Sequence, residues 1–286
     1  MTAVELSKSF PNKKIALIGP FSQEGSASVA AGAMHAVFGE VEAHIDNSIG
    51  DKQQFKLALK SKDAWKEYFE FFGDDAKTAN DTIIYLKNTN NPFEVENFKK
   101  SAQMASDHNF LRSASKSEID EYINITDFEA VNVIEDEFAF CPVTVFKQTY
   151  TFLDNSTNVD LINDKVILIE KDFVKIGNGE KVFSDKFIIC NGAATSNLLE
   201  NHNILDVYQG VGTAMVIDST SLSYGSDFVV RTVNRGGAQC GVHVVPRADG
   251  THYIGAGNYL ANYDNRQDHR LETARYLTNV AESDII

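Results

Sequence analysis

Residues 13–42 read KKIALIGPFSQEGSASVAAGAMHAVFGEVE, and the fold turns on how this stretch is read. Ile15 to Ile18 is a short all-apolar run, the pattern of a strand buried on both faces of a parallel sheet. Gly25 to Gly32, GSASVAAG, reads as a loop of small residues with too little side-chain volume to build a core. It offers backbone N–H groups and two hydroxyls, Ser26 and Ser28. Two readings stand. The run either packs tightly against a helix or presents its backbone at close range to a phosphate or a ring.

Upstream, MTAVELSKSF places Val4, Leu6 and Phe10 on one helical face with Ala3, and Pro11-Asn12 ends it. A helix therefore feeds a parallel-type strand, whereas a βαβ unit begins with a strand. The sequence implies that the first strand of the unit is missing.

Downstream, Lys52 to Phe72 is a strong amphipathic helix with Gly73 as its C-cap, and Trp65 on it reads as core. Thr82–Leu86 is a strand and Phe93–Leu111 a helix. SKSEIDEYI starts a further helical turn with Ser117 as N-cap. Ala130–Ile134 and Glu137–Phe140 read as hairpin strands, and Val143–Leu153 as a helix. Short strands follow, with a hairpin turn at Gly177-Asn178-Gly179. Phe187–Cys190 is again an all-apolar strand, running into Asn191-Gly192-Ala193-Ala194 and a helix start. GTAMVID, SDFVVRT, GVHVVPR and HYIGAGNY alternate as strands of an antiparallel or mixed sheet, and Asp268–Val280 closes as a helix.

The bulk composition narrows the function. The chain has 286 residues, 43% hydrophobic, enough for one large domain or two interleaved ones. Asp and Glu number 40 against 26 Lys and Arg, a net charge of −14. An acidic chain without a basic block is a poor partner for nucleic acid or an anionic membrane. Cys141, Cys190 and Cys240 are far apart with no CxxC, which argues against zinc knuckles and disulfides and fits a reducing cytosol. No secretory h-region and no bilayer-length apolar run occurs, so the expected location is cytoplasmic. The seven histidines show no HExxH or other ligand spacing, so no metal site is expected. Nothing in the composition sets an oligomeric state.

The order of parts resembles the D-amino-acid oxidase superfamily of FAD-dependent oxidoreductases, the group with glycine oxidase and sarcosine oxidase. The resemblance covers nearly the whole chain. ELSKSFPNKKIALIGP looks like the first helix and second strand of that family's flavin-binding domain. GSASVAAGAMHAVFGE looks like its Ser/Ala/Gly loop against the flavin. NDKVILIE looks like the strand whose valine, here Val166, meets the adenine. DKFIICNGAATSNLL is similar to the family's apolar strand and Gly-Ala-x-Ser step, and VHVVPRADGTHYIGAGN to a hairpin of its substrate domain. The departures are equally plain. No GxGxxG is present, Gly19 stands where the family carries an acid, and no Gly-x-Arg-Pro segment occurs. The chain thus resembles a family member cut at both ends.

The resemblance implies an α/β fold: an incomplete FAD/NAD(P)-binding Rossmann-like domain, residues 1–45 and 130–205, interleaved with an α+β substrate domain on a mixed or antiparallel sheet, residues 46–129 and 206–286. The implied activity is oxidation of a small-molecule amine or amino acid at its carbon–nitrogen bond by hydride transfer to FAD. The implied cofactor contacts are Ser26, Ala27, Ser28, Ala31, Gly32, Ala33, Met34, Val166, Gly192 and Ala193. His35 either tunes the ring or reaches substrate, or only packs beside the loop. Arg247 either pairs with a substrate carboxylate or braces the hairpin beside Asp249. The alternative function is a flavin-free remnant of the fold, a binding or interaction protein or a non-functional truncation.

Overall fold

The computed structural model describes residues 1–22, 26–122, 128–199, 210–218, 227–235 and 241–260. Gly25, Cys240 and the helix expected over 268–280 lie outside them. In chain order the elements are α1 (Thr2–Ser9), β1 (Ile15–Ile18), α2 (Ala27–Ala30), α3 (Ile49–Phe72), β2 (Lys77–Ala79), β3 (Asp81–Lys87), α4 (Pro92–Asp107), β4 (Leu111–Ser113), α5 (Lys116–Tyr122), β5 (Phe128–Ile134), β6 (Ala139–Phe140), α6 (Pro142–Asp154), β7 (Val159–Ile162), β8 (Val166–Ile169), β9 (Phe173–Ile176), β10 (Lys181–Phe183), α7 (Thr195–Leu199), β11 (Gly210–Asp218), β12 (Phe228–Thr232), β13 (His243–Pro246) and β14 (Thr251–Leu260). They fall into two compact units, Met1–Ala30 with Val145–Gly210 and Ala31–Thr144 with Val211–Ile286.

In the smaller unit β1 and β7 pair in parallel, Ile15 opposite Val159 through Ile18 opposite Ile162. Val4 of α1 and Leu153 of α6 are buried with Val159, and Ile15, Leu17, Phe152 and Leu161 pack around them. The Asn158 amide donates to the carbonyls of Ser7 and Phe10, which ties the end of α1 to the start of β7. β8, β9 and β10 form an antiparallel meander. Its last turn is the expected Gly177-Asn178-Gly179, with Gly179 at φ 93°. Two expectations need correcting here. β1 is only half-buried, with Ala16 exposed, because β7 is its one ladder partner among the described residues. Phe187–Cys190 forms no strand, and Ile188 is 59% exposed.

The larger unit is built on a seven-stranded mixed sheet of order β11-β14-β13-β12-β3-β5-β4. β12 runs parallel to β3, while the β3–β5, β4–β5, β12–β13 and β13–β14 pairs are antiparallel. One face carries Ile84, Leu86, Ile134 and Val233, covered by Phe38, by Phe98 and Ala105 of α4, and by Phe55 and Leu59 of α3. The other face carries Ile83, Tyr85, Val133 and Val230, covered by Ile119 of α5. The period-2 alternation of β3 therefore feeds two cores.

Helix ends follow their local chemistry. Ser48 caps α3 by accepting the Asp51 N–H at 3.0 Å, and Gly73 at φ 85° ends it. Asn91 caps α4, with Pro92 in its first turn. The α5 cap is Ser115 rather than Ser117. Ser115 Oγ accepts from Glu118 N at 3.3 Å and Glu118 accepts from Ser115 N at 2.7 Å, a capping box. The Arg112 fork beside Glu118 and these two serine contacts hold that carboxyl down to about 2. Nor are β5 and β6 a hairpin: β5 lies between β3 and β4, while β6 pairs with β2.

Ile84 is 1% exposed and Ile167 is 55% exposed. Ile84→Ala is expected to lower unfolding free energy by about 2–5 kcal/mol, and Ile167→Ala by under about 0.5 kcal/mol, as measured by denaturant titration.

Candidate functional site

The small-residue run does not stay a loop. In the smaller unit Ala27–Ala30 winds into α2, with Ala30 N donating to Ser26 O at 3.1 Å. Small side chains allow this turn, and Ala27 and Ser28 remain exposed. The first turn leaves the N–H groups of Ala27, Ser28 and Val29 without intrahelical acceptors. A second such turn is the 3-10 segment Gly192–Ala194 leading into α7. Gly192 sits at φ 55°, and a Cβ there would meet nothing within 4 Å. Gly192 and Ala193 are exposed. Val166 opens β8, half-buried and opposite Ile176.

In the larger unit residues 31–40 run across one face of the sheet. Register puts Arg231, His243 and Gly255 in one row across β12, β13 and β14, and Val229, Val245 and Tyr253 in the next. Gly32 lies on the second row. A Cβ on it would stand 2.8 Å from Cε1 of Tyr253 and 3.4 Å from Val245. The body that needs a glycine here is thus the Tyr253 ring. Arg247 continues the same face. Its Nη2 donates to Ala31 O at 3.4 Å, and its guanidinium lies 5.3 Å from the Tyr253 centroid. Ala33 holds φ 56°, which turns the chain so that Met34 bridges to Ala139. Phe140 N then donates to Ala33 O at 3.1 Å and His35 N to Phe138 O at 2.8 Å.

His35 is buried and stacked on Phe138 at 4.7 Å. The Ser61 hydroxyl donates to Ala58 O at 2.6 Å, so it accepts from His35 Nε2–H at 2.7 Å. Burial, with the Lys62 ammonium second, pushes the imidazole down to about 4 and keeps it neutral.

Sequence reasoning missed the charged cluster next to it. Glu137 is fully buried, and its carboxylate accepts the N–H groups of Phe38 and Gly39. Burial outweighs these contacts and raises its carboxyl to about 7. Lys62, 3% exposed, donates to Asp136 O at 2.9 Å and lies 3.8 Å from the Phe110 centroid. Arg231 is fully buried. It donates to Glu40 Oε1 at 2.6 Å, to Asn234 Oδ1 at 3.1 Å and to Thr232 O at 3.2 Å. Burial pushes the Glu40 carboxyl up, but the Arg231 guanidinium holds it below its usual range. The signal in the sequence was Arg231, a lone charge inside the apolar strand FVVRT; Glu137 follows Glu135 and Asp136 in an acidic run and gave none.

The family model described as FAD dependent oxidoreductase matches residues 1–283. Glycine oxidase from Geobacillus kaustophilus superposes with a TM-score of 0.70 at 13% identity, over 91% of this chain and 69% of that one. L-amino acid deaminase from Proteus vulgaris superposes with a TM-score of 0.62 at 14% identity, over 89% of this chain and 57% of that one. This chain therefore spans less than two thirds of the deaminase. The FAD-bound L-alpha-glycerophosphate oxidase from Mycoplasma pneumoniae gives 0.60 at 16% identity, over 89% and 74%. At these identities the likeness is one of fold. No curated protein matches by sequence.

Gly32→Ala is expected to destabilise by about 1–3 kcal/mol through overpacking on Tyr253, and Tyr253→Leu in the same chain to recover part of that loss in thermal denaturation. Glu137 has its carboxyl raised on folding, so its contribution to stability is present below about 4.5 and lost as pH rises to about 7. Glu137→Gln is expected to remove that loss, so variant and wild-type stabilities should diverge between these pH values in denaturant titrations.

Proposed function

Because the chain belongs to the family of FAD-dependent oxidoreductases, we propose that it oxidises a small amine or amino acid at the carbon–nitrogen bond. FAD supplies the two-electron acceptor for that chemistry, and the protein supplies position and electrostatics. The observation that carries the reading is the family match over residues 1–283, joined to the run of small residues with accessible backbone.

The residues of the smaller unit fit a dinucleotide. The first turn at Ala27–Val29 and the turn at Gly192–Ala194 present N–H groups suited to pyrophosphate oxygens. The open space beside Gly192 leaves room for an approaching group. Ser26 and Ser28 would add hydroxyls, and Val166 an edge for the adenine. Within the larger unit, taken by itself, His35 is neutral and held by Ser61, and Arg247 keeps the loop at Ala31 in place.

A second reading, a flavin-free binding protein on the same fold, draws on one observation: the Tyr253 ring already fills the space over Gly32.

The experiment is reconstitution of the purified chain with FAD, removal of excess, and a visible spectrum. Flavin bands that bleach anaerobically on adding an amine or amino acid are the expected result. A chain that stays colourless overturns the oxidoreductase reading and leaves the flavin-free one.

A further inference from the structure

The sequence holds two Asn-Gly steps, Asn178-Gly179 and Asn191-Gly192, both in the smaller unit and both exposed. Asparagine is thermolabile, and most of all before glycine, whose nitrogen has no Cβ beside it to block an approach to the asparagine side-chain carbon. As sequence the two steps are equivalent. Their surroundings in the fold are not.

Asn178 is tied down in the turn between β9 and β10. Gly179 N donates to Ile176 O at 2.9 Å. Asn178 N donates to Asp164 Oδ2 at 3.0 Å, and its Oδ1 accepts from Glu180 N at 2.9 Å. The Gly179 nitrogen can attack only after the turn has opened. Asn191 stands differently. Gly192 opens the 3-10 segment, so its N–H has no intrahelical acceptor, and none occurs among the described residues. A Cβ on Gly192 would meet nothing within 4 Å, so the space beside the nitrogen is open. The Thr195 hydroxyl donates to Asn191 Oδ1 at 2.7 Å. That proton polarises the side-chain carbonyl and faces the negative charge that grows on Oδ1 when its carbon is attacked. Ala194 N holds Asn191 by the main-chain carbonyl, at 3.2 Å.

We propose that Asn191 is a site of self-modification, at which the Gly192 nitrogen displaces the side-chain amide and water leaves aspartate or isoaspartate in its place. The Gly192 nitrogen bonds to Cγ of Asn191, the bond from Cγ to the side-chain nitrogen breaks, and ammonia departs with the proton from Gly192. Water then opens the five-membered imide at either carbonyl, and nothing is oxidised or reduced. Thr195 is a positioning residue for the first step. The new carboxylate stands beside Gly192 and Ala193, where it repels an approaching phosphate. That consequence rests on the oxidoreductase reading above, and the modification itself does not.

The test is incubation of the purified full chain in neutral buffer, with peptide mass mapping and a methyltransferase assay for isoaspartate over time. In the folded chain the Asn191 peptide is expected to convert at least about tenfold faster than the Asn178 peptide, the worth of the one backbone hydrogen bond that Gly179 must give up. In urea the two should convert alike, since only the fold separates them. Thr195→Val should slow Asn191 about tenfold in the folded chain and leave Asn178 unchanged, and Thr195→Ser should keep the wild-type rate. Equal rates in the folded chain, Asn178 converting first, or an unchanged Asn191 would each overturn the proposal. Asn191→Asp is expected to hold FAD at least about tenfold more weakly than wild type in a titration, and equal affinity would overturn the consequence for the cofactor. A chain that converts at Asn191 but takes up no FAD keeps the modification and loses the oxidoreductase reading with that consequence. A chain that takes up FAD while Asn191 persists does the reverse.

Discussion

The buried carboxylate of Glu137 is the contact on which the larger unit is arranged. It takes the N–H groups of Phe38 and Gly39, two donors that would otherwise be orphaned under the sheet. Its own carbonyl accepts the Thr82 hydroxyl of β3 at 3.0 Å. A glycine at 39 is required because a Cβ there would sit 3.0 Å from Glu137 Oε2 and 3.3 Å from Arg231. Around this point, Lys62 of α3 grips the carbonyls of Glu135 and Asp136, and Arg231 of β12 grips Glu40. Three distant stretches of chain are thereby pinned to one place.

Such a cluster is a costly way to hold a backbone. Removing one partner would leave a charge buried without compensation, a heavier loss than an apolar core suffers from a similar deletion. What the cluster provides is direction. Dispersion contacts around Phe38 would tolerate small slides, whereas two N–H groups on one carboxylate fix where residues 31–40 cross the sheet. That crossing places Ala31 under Arg247 and Gly32 under Tyr253. The position of the candidate site is thus set by electrostatics several residues away from it.

The strands of the large sheet were legible because their apolar residues alternate, and the helices because their caps and apolar stripes are strong. Pairing was not. Ala130–Ile134 and Glu137–Phe140 look like a hairpin by proximity. Asp136 at φ 61°, with Lys62 on its carbonyl and Asp81 on its N–H, turns the chain out of the ladder. Ser117 looked like the cap of α5, but Glu118 reaches back to Ser115, two residues earlier. The small-residue run around Gly32 could be seen in the sequence. The Tyr253 ring that sits on it could not, because the two meet only through the register of β13 and β14. Arg231 was hidden because a lone charge in a strand usually marks a solvated face, and Glu137 because the acidic run of Glu135, Asp136 and Glu137 reads as a solvated turn.

The parallel pairing of β3 with β12 has a consequence for how the molecule comes into being. Ile83 meets Val230, so the centre of the sheet joins residues made early in translation to residues made late. Until the chain past Thr232 has left the ribosome, β3 has one flank, β5, and an open one. Closing so long a loop costs entropy before any ladder bond repays it. The nascent chain therefore spends much of its synthesis with Ile83, Ile84 and Tyr85 on an unfinished edge, the stage at which a chaperone has most to protect.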